Sequence, residues 1–140
     1  MKIYNAEGII LGRLASVVAK QALLGEEVRI VNSEKAIISG RKKVIFAREK
    51  QRRERKAYPL KSMTLSRLPH LFVRRAVRNM LPWKLSRGKE AYRKIHCFRG
   101  VPAEFQGKEL IVLEKAKVTK LPTLQYSTVL DMCRALGGKL

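Results

Sequence analysis

The chain has 140 residues and a formal net charge of +20 at pH 7, and 46% of its residues are hydrophobic. This apolar content suffices for a buried core and excludes a disordered basic tail, and the length fits a single domain over residues 1–140. No apolar run approaches the roughly 20 residues that span a membrane, and the first residues lack a secretory apolar segment. We therefore expect a cytoplasmic protein without membrane contact, and its basic balance is typical of nucleic-acid binding.

The first 31 residues predict a strand, a helix and a second strand. Ile3–Ala6 is short and prone to β structure, and Val28–Val31 is compact and β-branched. Between them an apolar face recurs at helical spacing, and Gly25 provides a natural stop. This face consists of Leu11, Leu14, Ala15, Val18 and Ala22. Two strands joined by a helix in so few residues indicate a parallel pair with a right-handed crossover.

A strongly basic stretch follows. Ala36–Ile38 is expected to pack on the core, and Ser39 is the predicted N-cap of a helix over Arg41–Lys56. Apolar residues occur only in the first turns of this helix, so we predict that its far part projects from the body. Between Arg41 and Lys89 there are 17 Lys and Arg but only two Glu, so this third of the chain carries +15 of the net charge. We predict a basic RNA-binding insertion at about residues 40–89, because a polyanion would neutralise this charge and release counterions.

The second part of the basic stretch predicts a loop and two helices. The loop covers Ala57–Pro69, which is rich in Pro, Ser and Thr, and the helices cover His70–Leu81 and Lys89–Lys94. Pro82 ends the first of these helices. Its apolar face should anchor it, and its other face presents guanidinium groups. The apolar face has Phe72, Val73, Ala76, Val77 and Met80, and the basic face has Arg74, Arg75 and Arg78. Tyr58, Phe72 and Trp83 are candidates for stacking on bases, although Phe72 is expected in the core.

The last third predicts two more strands and a closing helix. Ile95–Phe98 reads as a third strand and Leu110–Leu113 as a weaker fourth. Ser127–Leu136 is an amphipathic helix that stops at Gly137. The whole pattern indicates an α/β fold with a small parallel sheet covered on both faces.

Catalytic and metal-binding chemistry is not predicted. The chain has one Asp, Asp131, and its two histidines, His70 and His96, are isolated from other ligating side chains. Cys97 and Cys133 have no His or Cys partner at ligand spacing, so we expect two reduced thiols. We therefore expect no enzyme activity, no cofactor, no metal and no small-molecule substrate.

The turn between Gly8 and Gly12 lies at a strand-to-helix junction, the position where α/β folds hold nucleotides. It lacks the Gly-x-Gly-x-x-Gly spacing, and no acidic residue ends the second strand, so a tight packing turn is the favoured interpretation. Arg13 lies in the first helical turn, where its charge opposes the helix dipole. It should therefore have a partner, either a phosphate or a carboxylate such as that of Glu7.

The basic residues of the insertion, together with Arg13, are the predicted RNA contacts. They are Arg13, Arg41, Lys42, Lys43, Arg48, Lys50, Arg52, Arg53, Arg55, Lys56, Lys61, Arg67, Arg74, Arg75, Arg78, Lys84, Arg87 and Lys89. Arginine bridges phosphate oxygens and stacks on bases, which suits folded RNA. A surface that served only solubility would favour alternating signs of charge, whereas these residues form same-sign clusters.

Four motifs carry a family resemblance. They are Leu11-Gly12-Arg13-Leu14-Ala15, Val31–Ala36 leading to Ser39-Gly40, Arg78–Pro82 followed by Arg87-Gly88, and Lys94–Pro102. These motifs resemble the thirteenth large-subunit ribosomal protein family over residues 3 to about 102. The segment Ala19–Gly25 is similar to the archaeal and eukaryotic branch of that family.

The resemblance implies a three-layer α/β/α fold with a mostly parallel four-stranded sheet. It implies binding to large-subunit (23S-type) ribosomal RNA beside neighbouring ribosomal proteins, a role in early subunit assembly, and neither catalysis nor self-association. Some family members also bind messenger RNA and repress translation. Two alternatives stay open: a nucleic-acid-binding regulator outside the ribosome, which would bind duplex DNA equally well, and a nucleotide-using RNA enzyme built on the turn at Gly8.

Overall fold

The computed structural model describes residues 1–55 and 66–138. The elements follow in the order β1 (Lys2–Asn5), α1 (Leu11–Leu23), β2 (Val28–Val31), β3 (Ile37–Ser39), α2 (Lys42–Glu54), α3 (Pro69–Arg78), α4 (Ser86–Arg93), β4 (Ile95–Cys97), β5 (Tyr126–Thr128) and α5 (Val129–Ala135). Short 3₁₀ turns lie at Ser33–Lys35, Ala103–Phe105, Glu114–Ala116 and Val118–Lys120. The fold is mixed α/β, as predicted.

A small parallel sheet has β2 at its centre, flanked by β1 and β4. In this register Ile30 lies between Tyr4 on β1 and Cys97 on β4. Every position of the predicted apolar face of α1 is buried, because the helix returns the chain across one face of the sheet. The predicted parallel pair and the third strand are confirmed.

The two faces of the sheet are covered differently. The main core lies on one face, where Val28 and Ile30 belong to one cluster with buried residues of α1, α3 and α5. On the other face, Ile3 and Val31 form a smaller cluster with Phe105, from one of the 3₁₀ turns. The three-layer arrangement stays a prediction.

The predicted fourth strand, Leu110–Leu113, is reduced to one parallel bridge between Tyr4 and Ile111. The Ile111 N–H donates to the Ile3 carbonyl at 2.8 Å, and the Ile111 carbonyl accepts from the Asn5 N–H at 3.1 Å. The chain then leaves the sheet edge for the 3₁₀ turn at Glu114–Ala116. The prediction of four strands in one sheet is therefore not met within residues 1–55 and 66–138.

Instead, β3 pairs with β5 in a separate antiparallel ribbon. Ile37 lies opposite Thr128, and Ser39 lies opposite Tyr126. The prediction that Ser39 caps the next helix is therefore wrong: its backbone belongs to a strand, and Arg41 occupies the cap position without a side-chain hydrogen bond.

The C-terminal helix begins two residues later than predicted, because its first residues extend β5. Its true cap is Thr128, whose hydroxyl oxygen accepts the Asp131 N–H at 3.1 Å. Gly137, at a φ of 82°, follows the helix and ends it as the sequence predicted.

Helix α2 lies against the body, so the prediction that its far part projects is wrong. Ile45 is buried in the main core, and one turn further on Glu49 is only 3% exposed. The Arg53 guanidinium donates to the Leu136 carbonyl at the end of α5, at 3.2 Å. Polar side chains hold this part of the helix in place, which an apolar pattern does not reveal. The predicted loop Ala57–Pro69 falls largely on residues 56–65, outside the described residues.

Helices α3 and α4 form a bent pair joined at Pro82. Val73 and Val77 anchor α3 in the core, whereas Met80 lies beyond the helix end and is exposed. Gly88 of α4 lies so close to the Pro82 carbonyl that a Cβ atom there would clash with it. The absence of a side chain at Gly88 lets the first turn of α4 pack directly against the backbone of Pro82.

Candidate nucleic-acid interface

Helices α2 and α3 face each other across a cavity of about 470 Å³. Five arginines line it, namely Arg48, Arg52 and Arg55 from α2 and its C-terminal end, and Arg75 and Arg78 from α3. Leu11, Ile38, Phe72 and Ala76 provide its apolar lining, and Glu49 is its one acidic side chain. We call this site the arginine groove.

Glu49 organises the α2 side of the arginine groove. One of its carboxylate oxygens accepts from Arg48 Nε at 3.3 Å and from an Arg52 terminal nitrogen at 3.2 Å. The Glu49 side chain is 4% exposed, whereas those of Arg48 and Arg52 remain 56% and 52% exposed. A buried carboxylate therefore fixes two guanidinium groups whose other donors still face solvent.

The predicted basic face of α3 divides into two parts. Arg75 and Arg78 line the arginine groove, but Arg74 does not. The Arg74 guanidinium lies 4.5 Å from the centre of the Tyr92 ring, and its Nε is buried without a hydrogen-bond partner among the described residues. Arg74 therefore packs between α3 and α4, which accounts for its partial burial.

An aromatic pair, Trp83 and Tyr92, contacts two of the arginines of α3. Trp83 and Tyr92 meet edge to face with ring centres 5.0 Å apart, and the Arg78 guanidinium lies 5.2 Å from the Trp83 ring. Cation–π contacts of this kind hold a guanidinium in place without neutralising it. Trp83 keeps 40% of its surface exposed, so it borders the basic surface.

The remaining predicted contacts are mostly exposed. Those on the surface are Arg13, Arg41, Lys42, Lys43, Lys50, Arg67, Lys84, Arg87 and Lys89. Two of these form weak ion pairs, Lys42 with Asp131 at 3.5 Å and Lys50 with Glu54 at 3.8 Å. Arg53 is half-buried and holds the end of α5, and Lys56, Lys61 and the candidate stacking residue Tyr58 lie outside the described residues.

The turn at Gly8 is closed by the protein itself. The Ile10 N–H donates to the Ala116 carbonyl at 2.9 Å, and the Gly8 N–H donates to the Lys35 carbonyl at 3.3 Å. A phosphate-binding loop needs such N–H groups pointing at the ligand, so the packing interpretation of this turn is favoured. The expected partner for Arg13 is not Glu7, which pairs with Lys35 at 2.8 Å; Arg13 instead donates to the Lys115 carbonyl at 3.2 Å.

Burial shifts the pKa values of both histidines and both cysteines toward their uncharged forms. Burial, followed by the charge of Arg99, lowers the pKa of His70, and burial also lowers the pKa of His96. Burial raises the pKa of the Cys97 thiol to about 12 and that of the Cys133 thiol to about 11, and both thiols are free. Among residues 1–55 and 66–138, no cluster of His, Cys, Asp and Glu could hold a metal, and no helix is long and apolar enough to cross a membrane.

Sequence reasoning missed Glu49 and Tyr92, and only Glu49 had a signal in the sequence. Glu49 stands among basic residues, and Arg52 follows it after three positions, a spacing that brings opposite charges together on a helix. Tyr92 had no local signal, because its contact with Arg74 depends on how α4 folds back on α3.

Comparison with known proteins gives the family directly. The family model for ribosomal protein L13 matches residues 1–104. The large ribosomal subunit protein uL13 of Archaeoglobus fulgidus is 43% identical over 136 residues, covering 96% of this chain and 86% of the relative. The protein of the same name from Methanococcoides burtonii is 42% identical over 144 residues and covers 99% of both chains, as does that of Methanocaldococcus jannaschii at 41% over 142 residues.

These relatives extend the likeness beyond the predicted limit near residue 102, since they cover the C-terminal part as well. Their names agree with the predicted place in the large ribosomal subunit. The family consists of structural ribosomal proteins, so the prediction that the chain is not an enzyme is confirmed. The chain belongs to the ribosomal protein L13 family, as its sequence motifs predicted.

Proposed function

We propose that this chain is a structural constituent of the large subunit of cytoplasmic ribosomes, and that it binds large-subunit ribosomal RNA through the basic insertion at about residues 40–89. The arginine groove is the observation that carries this proposal, because five guanidinium groups from two helices converge on a cavity with a single carboxylate. In the free protein these groups repel one another, and RNA phosphates remove that repulsion while releasing counterions.

The core serves as the scaffold for this surface. Ile45 fixes the start of α2, Val73 and Val77 fix α3, and Arg53 ties the end of α2 to α5. The exposed cations of α2 then contact phosphates, which position the protein, and the shape of the folded RNA supplies specificity. The chain acts as a single domain and as a monomer, because two copies would present the same basic surface to each other.

A role in early subunit assembly follows from the same electrostatics. RNA that binds only the folded chain stabilises it by mass action. In return, the cations of the basic insertion neutralise neighbouring phosphates of the folded RNA, which otherwise repel one another. Other ribosomal proteins would then bind beside the less charged remainder of the chain. Nothing in the described residues favours messenger RNA as a second ligand.

The test compares two double substitutions that remove the same charge. Lys43 and Arg55 are exposed and have no ion-pair partner among the described residues, so replacing both with Ala leaves the Glu49 pairs intact. Lys20 and Lys120, exposed on other parts of the surface, serve as the matched control. Affinity for large-subunit ribosomal RNA is measured across a salt series.

Binding affinity falls as salt rises, and a plot of log affinity against log salt concentration has a slope set by the number of phosphate contacts. For the Lys43→Ala/Arg55→Ala chain we expect this slope to become less steep by about 0.7–0.9 for each phosphate contact removed. The control should keep the slope of the unmodified chain. Equal slopes in both doubles would assign RNA binding to another surface. The bound fraction should co-sediment with large subunits at moderate salt, and a chain that stays at the top of the gradient, or binds duplex DNA as tightly as ribosomal RNA, would favour the regulator alternative.

A further inference from the structure

We infer that the arginine groove holds one unstacked nucleotide of RNA, with its base against the apolar lining and its phosphate at the arginine rim. The inference rests on the proposed function and adds to it a defined ligand class for one site. Three features of the groove support it: its shape, its two kinds of lining, and the position of its carboxylate.

The shape favours a single nucleotide over a continuous duplex. The groove has a volume of about 470 Å³, within the roughly 300–1,000 Å³ that small-ligand sites occupy. A duplex backbone is convex and would meet only the rim of such a cavity. A nucleotide turned out of its stack, as in bulges and loops, presents a flat base and a phosphate that can enter separately.

The lining offers both surfaces that such a nucleotide needs. Phe72 and Ala76 are partly buried on α3, and Leu11 and Ile38 complete an apolar area between the helices. Every base has a π-face that can lie on an apolar or aromatic surface, which makes this contact tolerant of sequence. Phosphate-only binding would leave this apolar area exposed to water.

The guanidinium groups surround the ligand from two helices. Arg48 and Arg52 are held by Glu49 through one nitrogen each, so each keeps further N–H donors for a phosphate oxygen. Arg75 and Arg78 lie on the facing helix. Donors on both sides allow the charge-assisted hydrogen bonds that arginine forms with phosphate.

Glu49 sets the orientation of the ligand. Its side chain is buried, and the carboxylate repels a phosphate that approaches it. The phosphate is therefore kept at the rim, near the exposed parts of the arginines, and the uncharged base takes the interior. A second copy of this chain is a poor occupant, because it would present the same cationic rim.

The experiment uses the full chain and three short RNA hairpins with the same total number of phosphates. The first has a single-nucleotide bulge, the second has an abasic residue at the bulge, and the third is fully paired. Affinities are measured by fluorescence anisotropy at one ionic strength. We expect the bulged hairpin to bind about fivefold to a hundredfold more tightly than the other two, the range that stacking of one base supplies.

Ala76→Met fills the groove without changing charge. It should abolish the preference for the bulge and keep the affinity for the paired hairpin, which also reports that the variant is folded. Ala103→Met is the matched control, on an exposed turn outside the groove, and should behave like the unmodified chain. Should Ala76→Met fail to fold, Asn79→Met at the exposed rim replaces it.

The outcomes separate this inference from the proposed function. Equal binding of the three hairpins, or a preference that Ala76→Met leaves unchanged, overturns the nucleotide site and leaves ribosomal RNA binding standing. No binding to any hairpin or to ribosomal RNA overturns the proposed function itself. An oligoglutamate peptide that binds more tightly than the bulged hairpin, and is lost in Ala76→Met, would make the groove a peptide site and refute the inference.

Discussion

Replacing Glu49 with Gln should have opposite effects on the stability of the free protein and on its affinity for RNA. The carboxylate is buried and accepts hydrogen bonds from Arg48 and Arg52 at 3.3 and 3.2 Å. Glutamine keeps the shape and one acceptor oxygen but removes the charge. The arginine groove is then left with five cations and no internal counter-charge.

The size of the stability loss follows from the burial of the three side chains. Hydrogen bonds to charged groups contribute about 1.5–3 kcal/mol each. Both arginines are more than half exposed, so water and salt screen the interaction and rehydrate them when the carboxylate is removed. We expect the free energy of unfolding to fall by about 1–3 kcal/mol, less than the roughly 3–5 kcal/mol of a fully buried broken pair. For a chain of this length that lowers Tm by roughly 3–12 °C.

Glu54→Gln is the matched control, on the same helix and with the same change of charge. The Glu54 side chain is 64% exposed and lies 3.8 Å from Lys50, a geometry worth about 0–1 kcal/mol. Thermal unfolding followed by circular dichroism at low and high salt measures both variants. The loss in Glu49→Gln should shrink at high salt, because part of it is repulsion among the arginines.

RNA affinity should rise in Glu49→Gln, since phosphates meet a more positive groove. A Tm loss no larger than that of Glu54→Gln would show that the buried ion pairs do not hold the helix. Weaker RNA binding with an intact fold would show that Glu49 positions the arginines for RNA, and that its own charge is a minor obstacle.

Three further predictions concern packing and titration. Gly88→Ala should destabilise the chain by about 1–3 kcal/mol, because its Cβ meets a backbone carbonyl, whereas Gly12→Ala, on an open helical surface, should stabilise it by about 0.5–1 kcal/mol; thermal unfolding measures both. At about pH 8 the Cys97 and Cys133 thiols should react with a disulfide reagent far more slowly than in denaturant, since for Cys97 a pKa of about 12 lowers the thiolate population by about a thousandfold. The pKa of His70 is lowered in the folded chain, so as the pH drops the unfolded chain binds the proton first. The free energy of unfolding should therefore fall as the pH drops through about 6.5, and His70→Gln should reduce that fall. An equal fall in the unmodified chain and in His70→Gln would refute this prediction.

The sequence predicted those parts of the fold that depend on local pattern. The strand–helix–strand start was correct because its apolar residues recur at one period, and one face of α1 is enough to place it. The closing helix and the third strand were correct for the same reason. Leu110–Leu113 has the composition of a strand, but it pairs with β1 only at Ile111. The chain then turns away from the sheet at Glu114–Ala116, so no longer strand forms.

The charge of the sequence predicted which segments carry the candidate site, but it did not predict which of their side chains line the groove. A count of basic residues finds α2 and α3, but it does not distinguish Arg74, which packs on Tyr92, from Arg75, which lines the groove. The predicted path of α2 was wrong because Glu49 is a buried polar residue and Arg53 is a polar residue that contacts the end of α5. The partner of Arg53 lies 83 residues further along the chain, and hydrophobic periodicity carries no information about either residue.

The antiparallel ribbon has a consequence for the order in which a new chain can fold. Ile37 on β3 finds its partner only at Thr128, and the nearby basic helix is tied to Leu136. At a synthesis rate of about 5–20 residues per second, seconds pass between the appearance of β3 and that of β5. During that interval the parallel sheet can already form as far as β4, whereas β3 lacks its strand partner. Helix α2, which forms one side of the arginine groove, can therefore gain its contact with α5 only after β4 and the parallel sheet have been synthesised.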